Sequence, residues 1–144
     1  MRLCAFAICI LAALLMSLPA MAAVRIANDN GGRIDRYLYK FSALRASGER
    51  VIIDGACLSA CTLVLGAVPR ERICVTPRAR LGFHAAWQFT DMGRRRVHSA
   101  SGTRFLMDLY PQHVRQWISR KGGLKSHMIF LHGRELAAMY PRCF

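Results

Sequence analysis

Apolar side chains at positions 34, 37, 38, 41 and 44 recur at the spacing of one helical face. Arg33, Arg36, Lys40 and Arg45 fall elsewhere on the same wheel, and Gly48 closes the predicted helix. Before it, residues 23–27 (AVRIA) form a short β-prone run that ends in the turn formers Asn28-Asp29-Asn30-Gly31-Gly32. After it, Val51-Ile52-Ile53 reads as a buried strand that stops at Asp54-Gly55. Residues 59–67 (SACTLVLGA) read as a short buried helix opened by Ser59, and residues 71–76 and 80–83 as two further strands around Pro77. The pattern loosens over 88–102, which holds Gly93, Arg94-Arg95-Arg96 and a Ser/Gly cluster and predicts a mobile loop. Helical spacing returns over 103–120, with Pro111 bending that helix or starting a second one and Gly122-Gly123 ending it. A strand at 128–131 and a short helix at 135–139 lead to Cys143. Strand–helix alternation with short connections and no internal repeat predicts an α/β layer with largely parallel strands.

Length and composition bound this further. The chain has 144 residues, which allows one domain, and its 53% hydrophobic and 20% charged composition excludes a disordered tail, a collagen-like fibre or a low-complexity linker. At the N-terminus, Arg2 precedes an unbroken apolar run from Leu3 to Met16, then the helix breakers Ser17 to Pro19 and the small-residue site Ala20-Met21-Ala22. That is the arrangement of a signal peptide at 1–22, cleaved after Ala22 to leave a domain of residues 23–144 in the periplasm or outside the cell. The competing reading, a retained membrane anchor, is disfavoured because the run falls short of the roughly 20 residues a spanning helix needs.

Cleavage would remove Cys4 and Cys9 and leave Cys57, Cys61, Cys74 and Cys143. An even number in an exported chain predicts two disulfides, with three pairings open. Cys57 and Cys61 are four apart and would share a face of one helix, so each is expected to find a distant partner. A zinc site is the weaker alternative, since the spacing lacks a CxxC pair and the compartment is oxidising.

Chemistry concentrates at Gly55-Ala56-Cys57-Leu58-Ser59-Ala60-Cys61, where a buried strand runs through small residues into a serine at a helix start. Free N–H groups and the helix dipole there favour developing negative charge. The bland reading of Ser59 is a helix N-cap. His84 follows 25 residues later in an apolar context, where its bland reading is a half-buried core histidine.

The order Asn30-Gly31-Gly32, helix, strand, Ser59-Ala60, Gly66-Ala67, and Pro77-Arg78-Ala79-Arg80-Leu81-Gly82-Phe83-His84 resembles the proteolytic subunit of the Clp protease, a serine peptidase of the crotonase-like superfamily. The serine-to-histidine spacing equals the family's own. Residues 24–87 carry the resemblance well and residues 103–140 loosely. It implies a truncated crotonase-like (Clp protease-like) α/β fold with a small, mostly parallel sheet flanked by helices. It implies Ser59 as nucleophile, His84 as general base, and the N–H groups of Gly32 and Ala60 as the oxyanion hole. It implies a peptide or protein substrate, no cofactor, and a homo-oligomer among the partners. An exported protein has no ATP-driven unfoldase to feed it, so no ATPase partner is expected.

Two features depart from that pattern. Met128 stands where the family's triad acid would lie, and Asp91, Asp108 and Glu135 have no motif linking them to His84. The strand–helix unit that normally precedes the Gly-Gly turn is missing. The alternative is therefore a catalytically degenerate Clp-like domain that binds peptide or a protein partner in the cell envelope.

Charge adds a third reading. Lys+Arg is 21 against Asp+Glu 8, a formal +13. Arg94-Arg95-Arg96 with Arg70, Arg72, Arg78 and Arg80 offer a face for an anionic envelope surface. No aromatic platform or nucleic-acid motif accompanies them, so specific nucleic-acid binding is not expected. His98, His113, His127 and His132 lack metal-ligand spacing and are assigned to surface or packing.

Overall fold

The computed structural model describes residues 22–144, so the expected leader lies outside the described residues but for Ala22. Strand β1 (Ala23–Asp29) leads to helix α1 (Ile34–Ser47) and strand β2 (Arg50–Leu58). A 3-10 turn (Ser59–Leu63), the short helix α2 (Val64–Ala67) and a second 3-10 turn (Arg70–Arg72) follow. Next come β3 (Ile73–Val75), β4 (Arg80–Phe83) and a hairpin of β5 (Trp87–Thr90) and β6 (Arg95–His98). Helices α3 (Ala100–Leu109) and α4 (Gln112–Arg120), strand β7 (Ile129–His132) and helix α5 (Gly133–Ala137) complete the order.

Strand β2 is the axis of the sheet. It pairs in parallel with β1 on one edge, and its other edge takes β3 opposite Val51–Ile53 and then β4 opposite Ala56–Leu58. Strand β7 closes the far side antiparallel to β4. The protein is therefore a mixed α/β domain with a small, mostly parallel sheet flanked by helices. Such a sheet is covered on both faces, which is why Val51, Ile53 and Cys57 of β2 are all 0% exposed. Helix α1 buries Phe41 and Leu44, and α4 buries Val114, Trp117 and Ile118, as their helical spacing requires. Burial on that scale contributes about 1.5–3 kcal/mol for each large apolar side chain.

The strand does not stop at Asp54-Gly55 as the pattern suggested. The register advances two residues on β1 (Ile26 to Asn28) against three on β2 (Ile53 to Ala56), a bulge that absorbs the turn-like dipeptide. A Cβ on Gly55 would sit 1.8 Å from the Ala27 carbonyl oxygen, so only glycine admits this approach. The buried Asp54 is neutralised by Arg25 Nη1 at 2.5 Å and Arg78 Nη2 at 2.5 Å, with Thr76 Oγ1 donating at 2.7 Å. Continuing β2 past the bulge delivers Cys57, Leu58 and then Ser59 to the end of the sheet.

The expected loop at 88–102 is instead the β5–β6 hairpin and the first turn of α3. Its strands are short and exposed, and its turn passes through left-handed conformations at Asp91, Met92 and Gly93. Pro111 starts a second helix rather than bending one, since it holds the N-cap position of α4.

The disulfides join Cys57 to Cys61 and Cys74 to Cys143. The expectation that Cys57 and Cys61 each reach a distant partner is corrected. The two do not share a helix: Cys57 belongs to β2, and a sharp reversal at Ser59 brings their Cα atoms to 5.2 Å. The other bond pins the C-terminus, whose Cys143 amide also donates to the Val75 carbonyl at 3.1 Å. Two disulfides fit an oxidising compartment.

Several arginines donate to carbonyl groups rather than carboxylates. Arg72 reaches Leu44 O at 2.7 Å, Arg45 O at 2.9 Å and Glu49 O at 2.6 Å, tying the C-terminus of α1 to β3. Arg70 donates to Met139 O and Arg45 to Ala67 O. Among the described residues, no helix is long and apolar enough to cross a membrane.

Candidate active site

Ser59 sits where β2 ends and the 3-10 turn begins, with φ of 55°, a left-handed conformation that a residue with a Cβ adopts at a cost. The N-cap position belongs to Leu58, and the Ser59 hydroxyl does not cap the helix. It meets His84 instead: Oγ lies 2.7 Å from Nε2. His84 is carried there by β4, which lies beside β2 with Leu81 opposite Cys57. Parallel pairing of β2 with β4 thus brings together two residues 25 apart in sequence.

The other ring nitrogen decides the tautomer. His84 Nδ1 lies 2.7 Å from the Ala85 carbonyl oxygen. A carbonyl only accepts, so Nδ1 carries the hydrogen and Nε2 of the neutral ring accepts from Ser59 Oγ–H. Residue 85 is itself fixed, since its amide donates to Lys125 O at 2.7 Å. With both ring nitrogens engaged, no carboxylate among the described residues bonds to His84. Asp91, Asp108 and Glu135 are exposed, and Glu135 pairs with Lys121 at 3.3 Å. Met128, at the position of the expected acid, is half-buried just before β7. The Ala85 carbonyl escaped sequence reading because main-chain acceptors leave no residue-type signal.

Two further contacts hold the serine turn. Thr62 Oγ1 donates to the Ser59 carbonyl at 2.7 Å and lies 2.6 Å from Tyr110 Oη. Thr62 has one hydroxyl hydrogen, so Tyr110 is the donor in that second bond. Burial pushes the Tyr110 phenol up to about 12, which keeps it protonated and able to donate. From the other side Gly31, with φ of 79°, presses against the turn: a Cβ there would lie 2.6 Å from Ser59 Cβ and 2.8 Å from the Ala60 nitrogen. Asp29 shapes that glycine turn by accepting from the Gly31 amide at 2.9 Å, from Lys40 Nζ at 3.2 Å and from the Tyr37 hydroxyl. Burial alone would raise the Asp29 carboxyl, but the bonds from Tyr37, Gly31 and Lys40 outweigh it and hold it below its usual value.

Gly32, Ser59, Ala60 and His84 line one cavity of about 710 Å³. Its walls are mostly apolar, built by Ile34 and Leu38 of α1, Trp87 of β5, and Phe105, Leu106 and Tyr110. Trp87 and Phe105 remain 42% and 43% exposed, so the wall opens to solvent. The hairpin, which sequence reading treated as a loop, therefore supplies part of the cavity. Its signal was the Trp87-x-Phe89 alternation before the Asp91-Met92-Gly93 turn. His98 bonds Thr103 Oγ1 at 3.1 Å and His113 bonds Tyr140 Oη at 3.2 Å, both outside this cavity. Chemically, the arrangement offers a hydroxyl hydrogen-bonded to an imidazole in an apolar cleft.

No family model matches the chain, and no curated protein matches its sequence. Among solved structures, a point mutant of ClpP1 from Listeria monocytogenes matches at 14% identity and a TM-score of 0.48, covering 88% of this chain and 74% of that one. The α/β class follows from the strand pairings themselves.

Proposed function

We propose that residues 23–144 form an exported, ATP-independent serine hydrolase of Clp protease-like type, acting as a peptidase in the periplasm or outside the cell. The observation that carries this is the 2.7 Å bond from Ser59 Oγ to His84 Nε2 inside an apolar cavity. Ser59 Oγ attacks the carbonyl carbon of a bound chain while Nε2 takes its proton. The N–H groups of Gly32 and Ala60 receive the negative charge that develops on the carbonyl oxygen. Nε2 then returns the proton to the departing amine, leaving an acyl group on Ser59 that water removes by the reverse sequence.

An acidic partner of a catalytic histidine does two jobs: it fixes the tautomer and stabilises the imidazolium. The Ala85 carbonyl supports the first job and, being uncharged, contributes less to the second. That difference predicts a slow enzyme. It is also the one observation behind the second reading, a degenerate domain that binds peptide or a protein partner. The leader at 1–22, a homo-oligomeric state and contact with an anionic envelope surface belong to the same proposal, which includes no ATPase, cofactor, metal or nucleic acid.

A fluorophosphonate probe tests it. Covalent labelling of the oxidised protein that disappears in Ser59→Ala is the expected result. An unlabelled, correctly oxidised protein would leave the binding reading in its place.

A further inference from the structure

We infer that Cys57 and Cys61 are positioning residues whose disulfide holds Ser59 in its reactive orientation, so that competence waits on formation of that bond. The inference rests on the role proposed for Ser59. The bond closes a ring of residues 57–61 with Ser59 at its centre. Ser59 is left-handed there, a conformation that persists only where the surroundings enforce it.

Cys57 is an immobile anchor for this purpose. It is 0% exposed, it lies opposite Asp29 in β1 and Leu81 in β4, and it is flanked by paired residues on both sides. Cys61, also 0% exposed, lies two residues beyond Ser59 in the 3-10 turn. The disulfide therefore fixes how the turn folds back on β2. Strand β4, paired to the same stretch of β2, carries His84 three residues past Leu81. The separation of Ser59 from His84 is set by that fold-back.

The second disulfide has a different character. Cys74 and Cys143 are 69 apart in sequence, and Cys74 pairs with Ile52, towards the opposite end of β2 from Ser59. Chain-entropy stabilisation grows with the logarithm of loop length, so the long loop yields the larger share and the ring around Ser59 the smaller. Local geometry is what the short ring supplies.

Before oxidation the two cysteines are thiols. A thiolate of one attacks the disulfide of an acceptor, a protein disulfide or oxidised glutathione, and the other thiolate resolves the mixed disulfide. Two protons and two electrons pass to the acceptor, which departs as a protein dithiol or as two molecules of glutathione. Both sulfur-bearing residues are buried once the turn has formed, so the exchange accompanies folding in the oxidising compartment. The hydrolase is latent in a reducing cytosol.

The experiment compares Cys57→Ala/Cys61→Ala with Cys74→Ala/Cys143→Ala, measuring melting temperature and, per folded molecule, KI and kinact for the fluorophosphonate. In the first variant kinact falls about 10²-fold, the scale of a 1 Å misplacement, with KI unchanged. The second variant loses more thermal stability and keeps its kinact. Should the first variant not fold, wild-type protein is equilibrated along a dithiothreitol series and both disulfides are quantified by mass spectrometry. There kinact tracks the Cys57–Cys61 fraction. A kinact indifferent to Cys57–Cys61 in either format overturns the inference and leaves the hydrolase reading standing. Absence of labelling in oxidised wild type overturns both.

Discussion

A methyl group placed at Gly31 and another at Gly48 separate the cost of a left-handed backbone from the cost of crowding the serine turn. Both glycines have φ of 79°. An alanine at either position therefore carries the same conformational penalty, about 1–2 kcal/mol. At Gly48 a Cβ meets nothing within 4 Å, so that penalty is the whole effect. For a domain of this size it lowers Tm by roughly 5 °C. At Gly31 the Cβ would stand 2.4 Å from Leu58 O and 2.6 Å from Ser59 Cβ. Carbon atoms sit comfortably about 3.5 Å apart, so the serine must retreat by about 1 Å. The 2.7 Å bond from Ser59 to His84 does not survive such a shift. Labelling should fall about 10²-fold, equivalent to about 2.7 kcal/mol of activation free energy. The assay is inactivation by the fluorophosphonate at matched folded fraction, with thermal melts of both variants. Gly31→Ala labelling at the wild-type rate, or Gly48→Ala losing as much as Gly31→Ala, would refute the interlock.

Other outcomes follow from the same contacts. The bond from Arg78, with those from Thr76 and Arg25, holds the Asp54 carboxyl well below the usual carboxylate range. A group depressed on folding stabilises the protein fully above its ordinary value and loses that contribution as pH falls, so the urea midpoint should drop below about pH 4. Asp54→Asn should be less stable near neutrality and show a flatter acid limb; a parallel limb counts against the assignment. Tyr110→Phe removes the donor to Thr62 and should cost about 1 kcal/mol, read as a lower urea midpoint at unchanged m. Trp87→Ala and Phe105→Ala cut the apolar wall and should raise KI for an apolar fluorophosphonate while kinact holds; unchanged KI would place the probe elsewhere.

Periodicity made α1 legible, because Phe41 and Leu44 are buried on the face their spacing defines. The Ser59–His84 pair was expected only through the resemblance, since alone Ser59 reads as a helix cap and His84 as a core histidine. What escaped depended on partners distant in sequence. Asp54-Gly55 resembles a turn until Ala27 and two arginines are placed against it. Cys57 and Cys61 resemble helix neighbours until Ser59 takes a left-handed φ. The hairpin resembles a loop because Gly93 and Arg94-Arg95-Arg96 break the pattern, and the Trp87-x-Phe89 alternation is too short to stand out beside them.

The carbonyl-bound arginines bear on the electrical state of the molecule. A carboxylate partner cancels the charge it binds, whereas a carbonyl orients a guanidinium and leaves its charge in place. Arg45, Arg70 and Arg72 brace α1, α2 and the C-terminal segment in this second way. Folding therefore consumes their hydrogen-bonding capacity without discharging them. The folded domain keeps a strongly positive formal charge, which draws small counter-ions towards it whether or not its cleft is occupied.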